Sequence, residues 1–284
     1  HGRVIKLIAR DDRYDPPLCM ANTQRFLQDG DIFALFSYVG TPTTVKILPM
    51  VNEAKIPLIG MFTGANALRQ PFNSYLINVR ASYYQETGAA VRHLVEDLGV
   101  REIAVFYQYD AYGLDGLRGA ELALQNYGLA PVEKSSYIRG TLDVEEGLET
   151  ILLAEPQAVI MIGTYEPCAK FIHLAKGAGS DMLFYNVSFV GGEQLAKLLG
   201  PEGDGVIVSQ VFPPPNLPEV QGMLDDIQKY ITLSKRYFPE GEISSVGLEG
   251  YYNAMVLVEG LRRAGPDLTR DGLIEALESM HTIP

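Results

Sequence analysis

Positive charge is scarce in this chain: 23 Lys and Arg face 35 Asp and Glu among 284 residues, a net charge of −12. The basic residues are scattered, not gathered into a stripe, so a phosphate backbone would be repelled and no nucleic acid is expected as a partner. Long apolar runs are missing as well. The longest, such as 158–162 and 32–36, fall far short of the roughly 20 residues that cross a bilayer, so no direct membrane insertion is expected. Cysteine is rare. Cys19 and Cys168 are far apart and share no ligand-like spacing with any of the four histidines, which argues against a metal site. A single disulfide is one arrangement open to them; two free, buried thiols is the one expected.

Catalytic signatures are also lacking. There is no G-x-S-x-G nucleophile elbow, no G-x-x-x-x-G-K-[ST] phosphate loop, and no G-x-G-x-x-G directly after a strand, so hydrolase and nucleotide-cofactor chemistry have no support. His93 and His173 fall within helical stretches and His281 at the end of one, where packing or surface roles outweigh that of a general base. No catalytic residue and no cofactor are expected. The start of the chain, His1-Gly2-Arg3 followed by the short, mostly apolar stretch 4–9, does not carry the pattern of a secretory leader.

What is present is the balance of a soluble globular protein, 47% hydrophobic and 20% charged. The length predicts two units on one polypeptide, since ordinary domains run to roughly 100–200 residues. Short apolar runs alternate with amphipathic stretches, the pattern of βα units winding a mostly parallel sheet. Strands are expected over 4–10, 32–39, 56–59, 102–107, 158–163, 183–186 and 205–210. Helices are expected near 17–28, 43–53, 84–98, 114–127, 144–153 and 168–178, with Gly99 as a C-terminal stop to the third. Helical character then dominates over 219–237, 247–264 and 268–280. Pro213-Pro214-Pro215 cannot feed a strand ladder and marks a connection or hinge.

Ligands of an open parallel sheet sit beyond the carboxyl ends of its strands, so those turns carry the candidates. They pair hydroxyls with aromatic rings or glycines: Gly40-Thr41-Pro42-Thr43-Thr44, Gly60-Met61-Phe62-Thr63-Gly64, Gln108-Tyr109-Asp110-Ala111-Tyr112-Gly113, Gly163-Thr164-Tyr165-Glu166 and Asn186-Val187-Ser188-Phe189. A hydroxyl-rich turn opening a helix suits a carboxylate, and Thr41 and Thr43 are placed for that. The plainer alternative is that they, like Thr63, cap a helix. Tyr112 and Tyr165 are equally readable as packing aromatics or as ligand contacts.

Five segments in order, Asp11-Asp12 with Asp15-Pro16, then Gly40-Thr41-Pro42-Thr43, Asn78-Val79-Arg80-Ala81-Ser82-Tyr83, Gln108 through Gly113, and Leu248-Glu249-Gly250-Tyr251, resemble the leucine/isoleucine/valine-binding family of ABC-transporter solute-binding proteins, over nearly the whole chain. The resemblance implies the type I periplasmic binding fold: α/β, with two doubly wound parallel-sheet lobes joined by a three-segment hinge. Lobe one would be residues 1–84 and 212–284, lobe two 85–211, with the ligand cleft between them. It implies that Thr41, with Thr43 nearby, holds a ligand carboxylate, that Phe62 and Thr63 bind the same head group, that Tyr112 closes over the ligand, and that Thr164 and Tyr165 line that wall. The acid that meets a ligand ammonium in the family aligns with Ser188, so either another acid, Glu249, Glu166 or Asp110, replaces it, or the ligand is a carboxylate without an amine.

Tyr14 and Val39 stand where some members carry a small disulfide. A first strand and helix ahead of Val4 and a final strand region after Pro284 are also implied, so the chain reads as trimmed at both ends. The function implied is extracytoplasmic capture of a small amino acid or related carboxylate, periplasmic or on the outer face of the cell membrane, with a membrane permease of an ABC transporter as partner. Rival readings are the ligand-sensing ectodomain of a signalling receptor, an intracellular ligand-sensing regulator and, more remotely, an enzyme on a doubly wound fold.

Overall fold

Strands buried on both faces of a parallel sheet read as unbroken apolar runs, and the computed structural model, which describes residues 2–221 and 225–281, is organised by two such sheets. Two compact units form around them. One comprises the described residues of His1–Thr63, Ala67–Arg80 and Phe212–Pro284, the other Gly64–Asn66 and Ala81–Val211. In chain order the first unit carries α1 (Pro16–Gln28), β1 (Leu35–Phe36), α2 (Thr41–Ala54), β2 (Leu58–Ile59) and β3 (Leu76–Ile77). The second carries α3 (Tyr83–Arg92), β4 (Ile103–Gln108), α4 (Ala111–Gln125), β5 (Lys134–Tyr137), α5 (Glu145–Leu153), β6 (Ala158–Ile162), α6 (Tyr165–Gly177), β7 (Leu183–Asn186), α7 (Gly192–Leu199) and β8 (Ile207–Val208). The chain then returns to the first unit for α8 (Pro218–Gln221), α9 (Asp225–Tyr237), α10 (Ser245–Ala264) and α11 (Arg270–Glu278).

In the second unit five parallel strands run in the order β5-β4-β6-β7-β8, with Phe106 opposite Met161 and Ile160 opposite Tyr185. Every residue of β6 is buried, as an apolar central strand requires. On one face Phe106 stacks on Tyr137 and meets Phe171 at a centroid distance of 4.3 Å, inside a core with Val159, Met161 and Cys168. Truncating a ring such as Phe106 to alanine there costs about 3–5 kcal/mol. The first unit's sheet is β1-β2-β3, also parallel, and packs Ile59 with Val256, Leu273 and Leu277.

Several expectations need correction. Residues 4–10 form no strand and lie exposed, Val4 at 92% and Leu7 at 72%, because no strand among the described residues offers them a ladder. The strand expected over 32–39 shrinks to β1 because Arg270 takes the carbonyls of Ile32 and Phe33 at 2.6 and 3.1 Å, and Ser37 turns left-handed at φ 50°. Only an isolated bridge, Val39 to Phe62, follows it. The helix expected over 219–237 is α8 and α9; its residues 222–224 lie outside the described residues. The 84–98 helix ends in a π turn, His93–Asp97, before Gly99 at φ 69°. β3, β5 and α7 were not foreseen; β5 is a polar edge strand whose Lys-Ser-Ser-Tyr contains no apolar run. Pro213–Pro215 lies in the connection from β8 to α8, as its fixed φ angles require.

Candidate functional site

In the first unit the polar residues gather at the start of α2. Three carboxylates shape the turn behind it: Asp11 and Asp12 accept the N–H groups of Arg13 and Tyr14 at 2.8 and 2.9 Å, and Asp15 caps α1 through Leu18 N–H. These bonds hold Arg13 and Tyr14 left-handed, at φ 53° and 55°, an arrangement that costs each about 1–2 kcal/mol without such support. Tyr14 thereby lies against Gly40, whose φ is 91° and where an added Cβ would stand 2.1 Å from the ring, so the glycine is required both by conformation and by space. Gly40 is also the N-cap of α2, and no side chain caps that helix. The capping alternative for Thr41 and Thr43 is therefore set aside. Thr43 donates its hydroxyl back to Val39 O and Gly40 O. Thr41, 1% exposed, bonds instead to the hydroxyl of Thr63 at 2.7 Å. Two buried hydroxyls thus stand at the positive end of the dipole of a helix that has no acidic residue in its first turn and no side-chain cap.

Beside them Phe62 pairs its backbone with Tyr38 and Gly40, and the Arg80 guanidinium lies 4.4 Å over its ring. Glu249, on the first turns of α10, is buried and faces Arg80, Nε to Oε1 3.5 Å. Glu249 therefore already answers a buried cation, which counts against it as the acid that meets a ligand ammonium.

In the second unit the turns after the strands are tied together by two networks. Along the first, Gln108 donates to Asp110 at 2.6 Å and accepts from Tyr137 at 2.9 Å, while Tyr137 accepts the N–H of Thr164 at 3.1 Å. Asp110 is the N-cap of α4, accepting Tyr112 and Gly113 N–H, with Arg139 at 3.6 Å. Burial pushes its carboxyl above the usual range, against the pull of those N–H groups, Gln108 and Arg139. Burial likewise pushes the Tyr137 hydroxyl up. Tyr112 is fully buried, its ring between Tyr83 and Phe189 at 5.1 and 4.7 Å and its hydroxyl donating to Gly163 O at 3.2 Å. Thr164 is the N-cap of α6, and Tyr165, which opens that helix, is 40% exposed.

The second network was not foreseen. Glu86, on the first turn of α3, is 5% exposed and receives Ser188 N–H at 2.8 Å, the Ser188 hydroxyl at 2.9 Å and the Ser209 hydroxyl at 2.8 Å. Its helix is started by a capping box, Ser82 with Gln85, that fixes the first turn. Ser188 and Ser209 follow the carboxyl ends of β7 and β8. A sequence signal existed: Tyr83, Glu86, Ala90 and Leu94 recur at helical spacing on the buried face of this segment, so Glu86 is an acid on an apolar stripe. Glu166, by contrast, is exposed.

Thus the structure brings Thr41, Thr43, Phe62, Thr63 and Glu249 into the first unit and Tyr112, Thr164, Tyr165 and Ser188 into the second. Among the described residues no cluster of three or more His, Cys, Asp or Glu is disposed to hold a metal, and no helix is long and apolar enough to cross a membrane. Cys19 and Cys168 are buried free thiols in different units.

A family model described as periplasmic binding protein matches residues 1–284. No curated protein matches the chain. Among solved structures, a possible leucine/isoleucine/valine-binding protein from Rhodopirellula baltica SH 1 is 37% identical with a TM-score of 0.90, over 96% of this chain and 74% of that one. A substrate-binding periplasmic protein from Ralstonia solanacearum is 29% identical, TM-score 0.89, over 97% and 77%. An extracellular ligand-binding receptor from Verminephrobacter eiseniae shares the fold, at 24% identity and a TM-score of 0.86, over 97% and 78%.

Proposed function

This chain belongs to the periplasmic binding protein family, and from that premise we propose that it is the extracytoplasmic solute-binding protein of an ABC importer, capturing a small amino acid or related carboxylate. Like its relatives, the chain is a binding protein and not an enzyme. The observation that carries the ligand class is the start of α2: an N-terminus without a side-chain cap, with the Thr41 and Thr63 hydroxyls 2.7 Å apart beside it. Backbone N–H groups and hydroxyls converging at a helix N-terminus bind a carboxylate well. The relative from Rhodopirellula baltica is described as a possible leucine/isoleucine/valine-binding protein, and amino acids of that kind carry such a carboxylate.

In this reading the lobes are residues 1–84 with 212–284 and residues 85–211, and they work as a clamp. The carboxylate engages Thr41, Thr63 and the backbone near Phe62; hinge closure then commits Tyr112, Thr164, Tyr165 and Ser188, and the closed form docks on a membrane permease. Exclusion of water strengthens each hydrogen bond, so micromolar or tighter affinity, about −8 kcal/mol, is expected. The test is a thermal-shift screen of the protein against aliphatic and aromatic amino acids and small carboxylates. A ligand at a hundred times its Kd stabilises by about 2.7 kcal/mol. A rise in melting temperature confined to one chemical family of these compounds is the expected result, and no rise with any of them would refute the reading.

A further inference from the structure

We infer that Glu86, on the first turn of α3 and held by Ser188 and Ser209, is the acceptor for a cationic group of the ligand. The inference rests on the solute-binding reading above and deepens it: it selects α-amino acids over carboxylates that lack an amine. The geometry carries it. Glu86 is 5% exposed, and all three of its hydrogen-bond donors, Ser188 N–H, Ser188 Oγ–H and Ser209 Oγ–H, are neutral. Among the described residues no Lys, Arg or His forms an ion pair with it. The other candidate acids differ on this point, since Glu249 faces Arg80 and Asp110 faces Arg139.

A carboxylate buried without a countercharge is unfavourable even when hydrogen-bonded, and a fold that keeps one invites a cation from outside. Room on the group remains. A carboxylate offers about four lone-pair positions, and here Oε2 takes two donors while Oε1 takes one. The Ser209 hydroxyl also lies 3.4 Å from Asn186 O, an acceptor to which it can turn, opening a further position on Oε2. Ser188 itself follows the carboxyl end of β7 and Ser209 that of β8, the end of a parallel sheet at which ligands are received. Ser188 thus serves as the holder of the acid. Its backbone N–H and hydroxyl each point one bond at Glu86, across 102 residues of sequence, which fixes the carboxylate as a ligand-binding group must be fixed.

The test is calorimetric titration of the protein and of Glu86→Gln with L-leucine, L-valine and L-phenylalanine, each against the acid of the same skeleton without the amine: isocaproate, isovalerate and hydrocinnamate. The expected result is that the wild type prefers an amino acid over its amine-free partner by about a hundredfold or more, and that Glu86→Gln collapses this ratio. A purely structural Glu86 would lower both affinities in proportion and leave the ratio unchanged, and that result overturns the inference. A wild type that binds the amine-free acids as tightly as the amino acids also overturns it while leaving the solute-binding reading intact. Binding of neither class removes both. Should Glu86→Gln fail to fold, the milder Ser209→Ala, which removes one neutral donor from Oε2 and no charge, is expected to change the ratio of amino acid to amine-free acid, and a ratio equal to that of the wild type overturns the inference.

Discussion

Replacing Glu249 by Gln removes a countercharge from a guanidinium that is itself buried. Arg80 is 5% exposed and Glu249 3%, and their closest approach is 3.5 Å, with the Arg80 guanidinium held 4.4 Å over the Phe62 ring. Removing one member of a buried ion pair costs about 3–5 kcal/mol, because the charge that remains is less well compensated. At 3.5 Å the pair is longer than a good charge-assisted hydrogen bond, so the lower end, about 3 kcal/mol, is expected. For a domain of this size each kcal/mol moves the melting midpoint by about 2–4 °C, so the unliganded variant melts about 6–12 °C below wild type. Arg80→Met alone behaves similarly, and the double variant Arg80→Met with Glu249→Gln loses less than the two single losses added together, the mark of a direct coupling. Scanning calorimetry of the four proteins without ligand reads this directly. If Glu249→Gln melts with the wild type and instead loses ligand affinity, Glu249 is a ligand acid and its pairing with Arg80 is incidental.

Gly113→Ala places a Cβ 1.9 Å from the carbonyl oxygen of Gln108, at the end of β4 where the backbone cannot yield, and is expected to destabilise by at least about 3 kcal/mol; a melt unchanged from wild type would show that the turn into α4 is looser than this. Burial raises both thiols, Cys19 to about 12, so neither is expected to react with a thiol reagent in the native protein at mildly alkaline pH, and both should react in denaturant; native labelling of Cys168 would contradict its packing in the β6–α6 core. The Asp110 carboxyl is raised by burial, so folding favours its protonated form; the stability it contributes is present below the ordinary Asp range, about 3.9, and is lost as pH rises through the folded value. Melts across that range should therefore show Asp110→Asn gaining on the wild type as pH rises, and a difference that is constant or falls with pH would refute the assignment.

The parts of this molecule that local pattern specifies were legible in its sequence. The β6 run Ala158–Ile162 and the β7 run Leu183–Asn186 announce buried parallel strands because no polar residue interrupts them before Asn186, and the hydroxyl-bearing turns after them are where the structure has its polar networks. The family was legible too, since motif order survives over the whole chain. What was hidden depends on contacts remote in sequence. Nothing local indicates that Arg270 takes the carbonyls ahead of β1, that Arg80 faces Glu249, or that Glu86 meets Ser188. β5 escaped because an edge strand carries one buried side and reads as polar. Residues 4–10 misled because an apolar, β-branched run states a preference for pairing and does not supply the partner.

Reversible capture of a small amino acid or carboxylate, without chemistry, is the function proposed for this protein. Isothermal titration with the compound that most raises the melting temperature, followed by release in denaturant and mass analysis of what comes off, tests it most directly. One equivalent bound per chain, with a Kd near micromolar or tighter and the compound recovered unchanged, is the predicted result. Absence of binding across the panel, or recovery of an altered compound, would contradict it.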